Sequence, residues 1–185
     1  MERIGIVGCA GSGKSALGVE LAKRLGLSFL AAKAITVPIL TRDGYDHASG
    51  VQIERFLAES TRQHELMKKT IEQHHTEGGF ITDRTFVDLA TYAVVEMHDQ
   101  DPGTLRKIYS ECRKMVGVYT HLVVCPWCDV PVANNNRRTL NPWYQFLVHA
   151  TGVGLLDEWK LKYVVLQTSE LKDRVEEVVK VVRPG

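Results

Sequence analysis

The chain is short of extremes. No apolar run approaches the ~18 residues that a membrane-spanning helix needs, so no membrane partner is expected. Neither sign of charge dominates. There are 23 Lys and Arg against 22 Asp and Glu, a formal net charge of +1. No global field therefore draws the chain to nucleic acid, although local basic patches stay open. Four cysteines in 185 residues do not form a disulfide framework, and reduced thiols in a cytoplasmic setting (a host's, for a viral chain) are the expectation. Repeats, low-complexity tracts and linkers are missing. Met1 leads straight into an apolar run, which leaves no room for a signal peptide. D-x-x-G and N-K-x-D are both absent, which argues against a GTPase switch.

What is there is a globular composition, 44% hydrophobic and 24% charged, in a length that suits one domain over residues 1–185. Its organising stretch is Gly8-Cys9-Ala10-Gly11-Ser12-Gly13-Lys14-Ser15, a full match to G-x-x-x-x-G-K-[ST]. Arg3 to Val7 before it reads as a buried strand. Leu17, Leu21 and Leu25 after it mark one face of a helix. Glycines at 8, 11 and 13 let the backbone fold around a phosphate without Cβ clashes. The loop amides and the helix N-terminus then supply positive potential. Lys14 is expected to reach the β- and γ-phosphates of ATP, and Ser15 to hold Mg²⁺. The candidate cofactor-binding set is Gly8, Ala10, Gly11, Ser12, Gly13, Lys14, Ser15 and Ala16.

Downstream, Ser28 to Ala32, Phe80 to Thr82, Thr120 to Cys125 and Tyr163 to Leu166 read as strands. Lys33 to Gly50, with Pro38 and a Thr41–Asp46 turn cluster, reads as loop. Val51 to His75 reads as one amphipathic helix ending in an exposed His74-His75 pair. Further helices are expected over Asp88 to Met97, over Thr104 to Val116, from Asn141 onward, and from a Ser169 cap to the C-terminal region. Strands alternating with helices imply a parallel sheet with ligands at the carboxyl ends of its strands. That edge is where Asp83-Arg84 falls. An acid there suits Mg²⁺ or an acceptor proton, and the arginine fork suits a phosphate or acceptor oxygen.

The run Phe80-Ile81-Thr82-Asp83-Arg84-Thr85-Phe86-Val87-Asp88-Leu89-Ala90-Thr91-Tyr92-Ala93 resembles the Asp-Arg-(x)n-Asp-x-x-x-Tyr segment of small P-loop kinases. These include the thymidylate kinase-like and nicotinamide riboside kinase-like groups and related phage kinases. The resemblance implies a three-layer α/β fold with a five-stranded parallel sheet of order 2-3-1-4-5 and helices on both faces. It implies transfer of the γ-phosphoryl group of ATP to a nucleoside, a nucleotide or a related hydroxyl compound. Asp83 becomes the metal-shell or base residue, Arg84 an acceptor ligand, and Asp88 and Tyr92 the walls of the acceptor pocket, one helical turn apart. Arg137 and Arg138, in a lid-like loop over about residues 129–142, are similar to lid arginines that neutralise the transferring phosphoryl group.

The residues Ala31-Ala32-Lys33-Ala34 hold no acid where deoxynucleoside kinases place their base. One alternative acceptor is a hydroxymethylated pyrimidine (5-hydroxymethyluracil) in DNA, as for phage relatives. Arg106, Lys107, Arg113 and Lys114 on one helix and the Trp143-Tyr144 pair are compatible with it. A nucleotide-dependent ATPase is the remaining alternative, although Arg84 stands where AAA-type ATPases carry a second acid. Cys125 and Cys128 form C-x-x-C without a second half-site, so buried packing of Cys125 is expected over metal or redox chemistry. A homodimer is left open.

Overall fold

The computed structural model describes residues 1–46, 49–99, 102–127 and 141–184. Five parallel strands run in the order β2-β3-β1-β4-β5, as expected. They are β1 (Arg3–Val7), β2 (Ser28–Leu30), β3 (Phe80–Thr82), β4 (His121–Val124) and β5 (Val164–Val165). The described helices are α1 (Lys14–Leu25), α2 (Lys33–Arg42), α3 (Gly50–Ala58), α4 (Ser60–His74), α5 (Phe86–Met97), α6 (Pro102–Met115), α7 (Pro142–Glu158) and α8 (Leu171–Val182). Period-2 alternation sorts the strands between two cores. Ile4, Ile6, Ile81 and Val123 pack with Leu17, Leu21 and Leu25 of α1 and Val175, Val178 and Val182 of α8. Phe80, Leu122 and Val124 face the opposite layer, with Phe56, Leu66, Leu89, Ile108 and Leu156 from the remaining helices.

β1 lies between β3 and β4, with Ile4 beside Ile81 and Ile6 beside Val123. The three carboxyl ends therefore open on one edge. Gly5 is what lets the next layer come close. A Cβ built there would lie 2.7 Å from Thr85 Cγ2 and 3.0 Å from Leu122 Cδ2. Any larger residue would push the start of α5 off the central strand.

Some expectations are corrected. Residues 33–42 form a helix despite Pro38, which removes one backbone donor. Thr36 Oγ1 donates to the Ala32 carbonyl at 2.9 Å. Arg42 holds both Glu65 oxygens of α4, at 2.7 and 2.9 Å, and Ile39 and Leu40 are buried. Tertiary packing thus outweighs the lost donor. The 51–75 run is two helices rather than one. Glu59 adopts extended backbone (φ −85°, ψ 120°) between them. Its carboxylate accepts from the Tyr45 hydroxyl, and buried Gln63 satisfies the freed Leu57 carbonyl at 2.6 Å. The last helix starts after Glu170, with no side-chain cap from Ser169. α6 begins at Pro102, before the expected Thr104 cap. Asn141 does cap α7, accepting from the Trp143 and Tyr144 amides.

His74 is buried, only 2% exposed, instead of sitting on the surface. Its ring stacks on Phe80 with centroids 5.0 Å apart and meets Phe86 and Tyr119 edge-on. The Tyr119 hydroxyl accepts from Phe86 N–H at 3.1 Å and lies within hydrogen-bond distance, 3.2 Å, of His74 Nδ1. Burial lowers the His74 pKa to about 4. The folded protein therefore keeps this ring neutral where the unfolded chain protonates it. Stability from this group is full above pH 6.5 and falls as the pH drops toward 4. Urea denaturation should show a loss of about 2 kcal/mol from this group between pH 6.5 and 5. His74→Phe should lose less over that interval, and an equal loss in the variant would contradict the assignment.

Candidate functional site

β1 ends at Val7, and the chain turns through glycines with φ of 150° at Gly8, 89° at Gly11 and 87° at Gly13. At Gly11 and Gly13 this is the left-handed region, where a side chain would be strained. At Gly8 space is also short. An added Cβ would meet Ser12 Oγ at 2.9 Å and the Cys125 carbonyl at 3.1 Å. Ser12 closes the turn, its hydroxyl donating to the Cys9 carbonyl at 2.9 Å. α1 then begins at Lys14 with no acidic residue in its first turn, so its N-terminal amides face the loop unopposed. Lys14 Nζ donates to the Gly8 and Cys9 carbonyls at 2.5 and 2.8 Å. Ala10 and Gly11 line the loop half-exposed, and Ser15 and Ala16 are exposed.

Asp83 follows β3, the neighbour of β1, and its carboxylate reaches the Ser15 hydroxyl. Its other oxygen accepts from Ala32 N–H at 2.6 Å. Asp83 is 7% exposed. The two hard oxygens thus brought together fit Mg²⁺, which is usually bound by one or two carboxylates with phosphate and water completing the shell. Among the described residues there is no group of three or more His, Cys, Asp or Glu placed to hold a metal.

Asp88 lies beneath the loop. Gly8 N–H donates to its Oδ1 at 3.3 Å. Thr85 N–H and Oγ1 donate to its Oδ2 at 2.8 and 2.6 Å, and Thr85 Oγ1 accepts from Asp88 N–H at 3.1 Å. This is a capping box that also anchors the phosphate loop. Burial raises the Asp88 pKa, with the Lys14 charge and these donors opposing. Arg84 sets its guanidinium over the Tyr92 ring, 5.9 Å from the centroid. Its Nη1 is buried with no hydrogen-bond partner among the described residues. Burial also raises the Tyr92 pKa, so its hydroxyl stays protonated.

Arg137, Arg138 and Cys128 lie outside the described residues, as does most of the expected lid. Cys125 is fully buried at the end of β4, and burial raises its thiol pKa. Arg106, Lys107, Arg113 and Lys114 are exposed along α6. Trp143 is 71% exposed, in ring contact with Phe146, which also meets Trp127. Two contributors escape the sequence motif. One is the Ala32 amide, which carries no side-chain signal. The other is Arg174, whose signal is a charge on the apolar face of α8.

The strand order and the strand–loop–helix at β1 define the P-loop nucleotide kinase-like fold. The chain belongs to the P-loop family whose model, described as an AAA domain, matches residues 3–174. No curated protein sequence matches it significantly. Solved structures share the fold at low identity. Deoxyadenosine kinase from M. mycoides, described with dCMP and dCDP as products, superposes with a TM-score of 0.70 at 14% identity, covering 97% of each chain. NadR in complex with NR gives 0.70 at 14% identity, covering 98% of this chain but 50% of its own. Thymidylate kinase from Ehrlichia chaffeensis gives 0.61 at 15% identity, covering 98% of both.

Asp88→Ala removes the capping box and leaves the Gly8 and Thr85 donors unpaired. It should cost about 2–4 kcal/mol in urea denaturation at pH 7. A cost under about 0.5 kcal/mol, the scale of an ordinary surface change, would contradict the anchoring role.

Proposed function

We propose that this protein is a Mg²⁺- and ATP-dependent phosphotransferase acting on a nucleoside, nucleotide or related hydroxyl acceptor. The observation that carries the reading is the meeting of Ser15 and Asp83 beside a phosphate loop whose lysine, among the described residues, is bonded to two loop carbonyls. Those two carbonyls are partners that Lys14 exchanges for the β- and γ-phosphates of the donor. The loop amides hold the same phosphates. Ser15 and Asp83 are the residues that would hold Mg²⁺, which when bound would supply charge neutralisation for the transferring group.

The transfer forms a bond from an acceptor oxygen to the γ-phosphorus. It breaks the bond from that phosphorus to the β–γ bridging oxygen, and ADP leaves. A hydroxyl acceptor must give up a proton, for which Asp83 is the carboxylate at hand. A phosphate monoester acceptor is already anionic at neutral pH and gives up none. Arg84, whose Nη1 has no partner among the described residues, orients the acceptor beside Tyr92. Arg137 and Arg138 would neutralise the developing charge. The rate enhancement then comes from positioning and electrostatics.

A second reading keeps this chemistry and changes the acceptor to a hydroxymethylated pyrimidine in DNA. Exposed Trp143, with Phe146 and Trp127 beyond β4, favours it as a stacking surface for an extruded base.

The test is transfer of γ-labelled phosphate from ATP to nucleosides, nucleoside monophosphates, nicotinamide riboside, plain DNA and hydroxymethylated DNA. Label on a small acceptor is the expected result, and label only on modified DNA would establish the second reading. Label released solely as inorganic phosphate would contradict both and leave an ATPase. Lys14→Ala should abolish transfer without loss of fold. Asp83→Asn should lower kcat far more than it weakens ATP binding, whereas equal losses would make Asp83 structural.

A further inference from the structure

We infer that Arg174 is a positioning residue of the donor site, clamping the phosphate loop to the β5–α8 connection and placing a buried positive charge behind the bound phosphates. This rests on the reading of the loop as an ATP site.

Arg174 sits in the first turn of α8 and is 1% exposed. Its neighbours on that face are Val175, Val178 and Val182, all buried. An aliphatic residue would complete this stripe without cost, whereas a guanidinium carries a heavy desolvation penalty. No carboxylate pairs with it among the described residues. Its Nε donates to the Thr168 carbonyl at 2.7 Å and its Nη1 to the Ser12 carbonyl at 2.8 Å. Nη2 is buried without a partner among the described residues. Among the described residues the charge is therefore solvated by two backbone dipoles.

Both acceptors belong to segments that a nucleotide meets. Ser12 lies in the phosphate loop between the two left-handed glycines. A loop that turns its N–H groups toward an anion must turn carbonyls away from it. The Ser12 carbonyl points instead into the buried side, where Arg174 satisfies it. Thr168 follows β5, at the same carboxyl edge of the sheet. One side chain therefore sets the spacing between the two segments and fixes the orientation of the Ser12 peptide.

The charge also matters. Cys125, whose carbonyl lies next to Gly8, feels the positive charges of both Lys14 and Arg174. The two cations flank the same low-dielectric ground beneath the loop. Lys14 approaches the anion from its own side, and Arg174 acts through the loop from behind. A triphosphate would supply the counter-charge that Arg174 lacks among the described residues.

The experiment uses the full chain with Arg174→Lys, Arg174→Gln and Arg174→Met. Binding of a non-hydrolysable ATP analogue and of inorganic tripolyphosphate is titrated calorimetrically, with Mg²⁺. Thermal unfolding is followed in parallel. Arg174→Met should weaken both ligands about tenfold or more. Arg174→Lys, which keeps the charge, should bind tripolyphosphate more tightly than Arg174→Gln. In transfer assays KM for ATP should rise while KM for the acceptor stays fixed. If Arg174→Met fails to fold, the Lys and Gln variants decide by the same criteria. Wild-type affinity in the folded variants would overturn the inference alone, as would equal affinity of the Lys and Gln variants. Failure of the wild type to bind either ligand would overturn both the inference and the ATP site.

Discussion

The rest of the site depends on one contact between two elements distant in sequence. The Ser15 hydroxyl in the first turn of α1 meets the Asp83 carboxylate just past β3. It does so because β1 and β3 are parallel, hydrogen-bonded neighbours that end on one edge. A slip of one residue between these strands would turn β3 side chains to the opposite face and move Asp83 away. The register of the central strands is therefore a functional constraint as well as a packing one. Gly5 serves the same constraint by letting α5 approach β1 closely enough for Asp88 to reach Gly8.

The phosphate loop is held from two sides by buried polar groups of opposite sign. Asp88 takes the Gly8 amide from the α5 side, and Arg174 takes the Ser12 carbonyl from the α8 side. Each group costs desolvation, and each does a task that an apolar residue cannot do. Between them the loop backbone is pinned at its first residue and near its last. Glycine freedom is needed to reach this conformation, but glycine alone would leave it mobile. Pre-organisation of this kind is what lets backbone amides act as an anion site with little reordering on binding.

The strand–loop–helix and the parallel sheet were legible because they rest on strong local signals: a fully matched motif, leucines at helical spacing, and short apolar strands; the strand order was legible only through the resemblance to small P-loop kinases. Asp83 was legible because it follows a strand on the loop's edge. Other features depended on tertiary partners that no local pattern shows. Pro38 reads as a breaker, yet Arg42–Glu65 and buried Ile39 and Leu40 sustain a helix around it. Glu59 is a good helix former, yet Tyr45 and Gln63 stabilise a break there. His74 looked like a polar helix end, but its neighbours Phe80, Phe86 and Tyr119 come from later in the chain. Arg174 left a readable trace, a charge at a position where helical spacing calls for an apolar residue.

In the proposed function the Gly8–Ser15 backbone, with Ser15 and Asp83, binds the phosphates of Mg²⁺-ATP. The most direct measurement is a proton–nitrogen NMR titration of the labelled protein with a non-hydrolysable ATP analogue and Mg²⁺. The largest amide shifts are expected at Gly11, Gly13, Lys14 and Ser15. Smaller shifts should follow at Ala32, whose amide donates to Asp83. Saturable binding that leaves these loop amides unmoved and shifts another surface would contradict it.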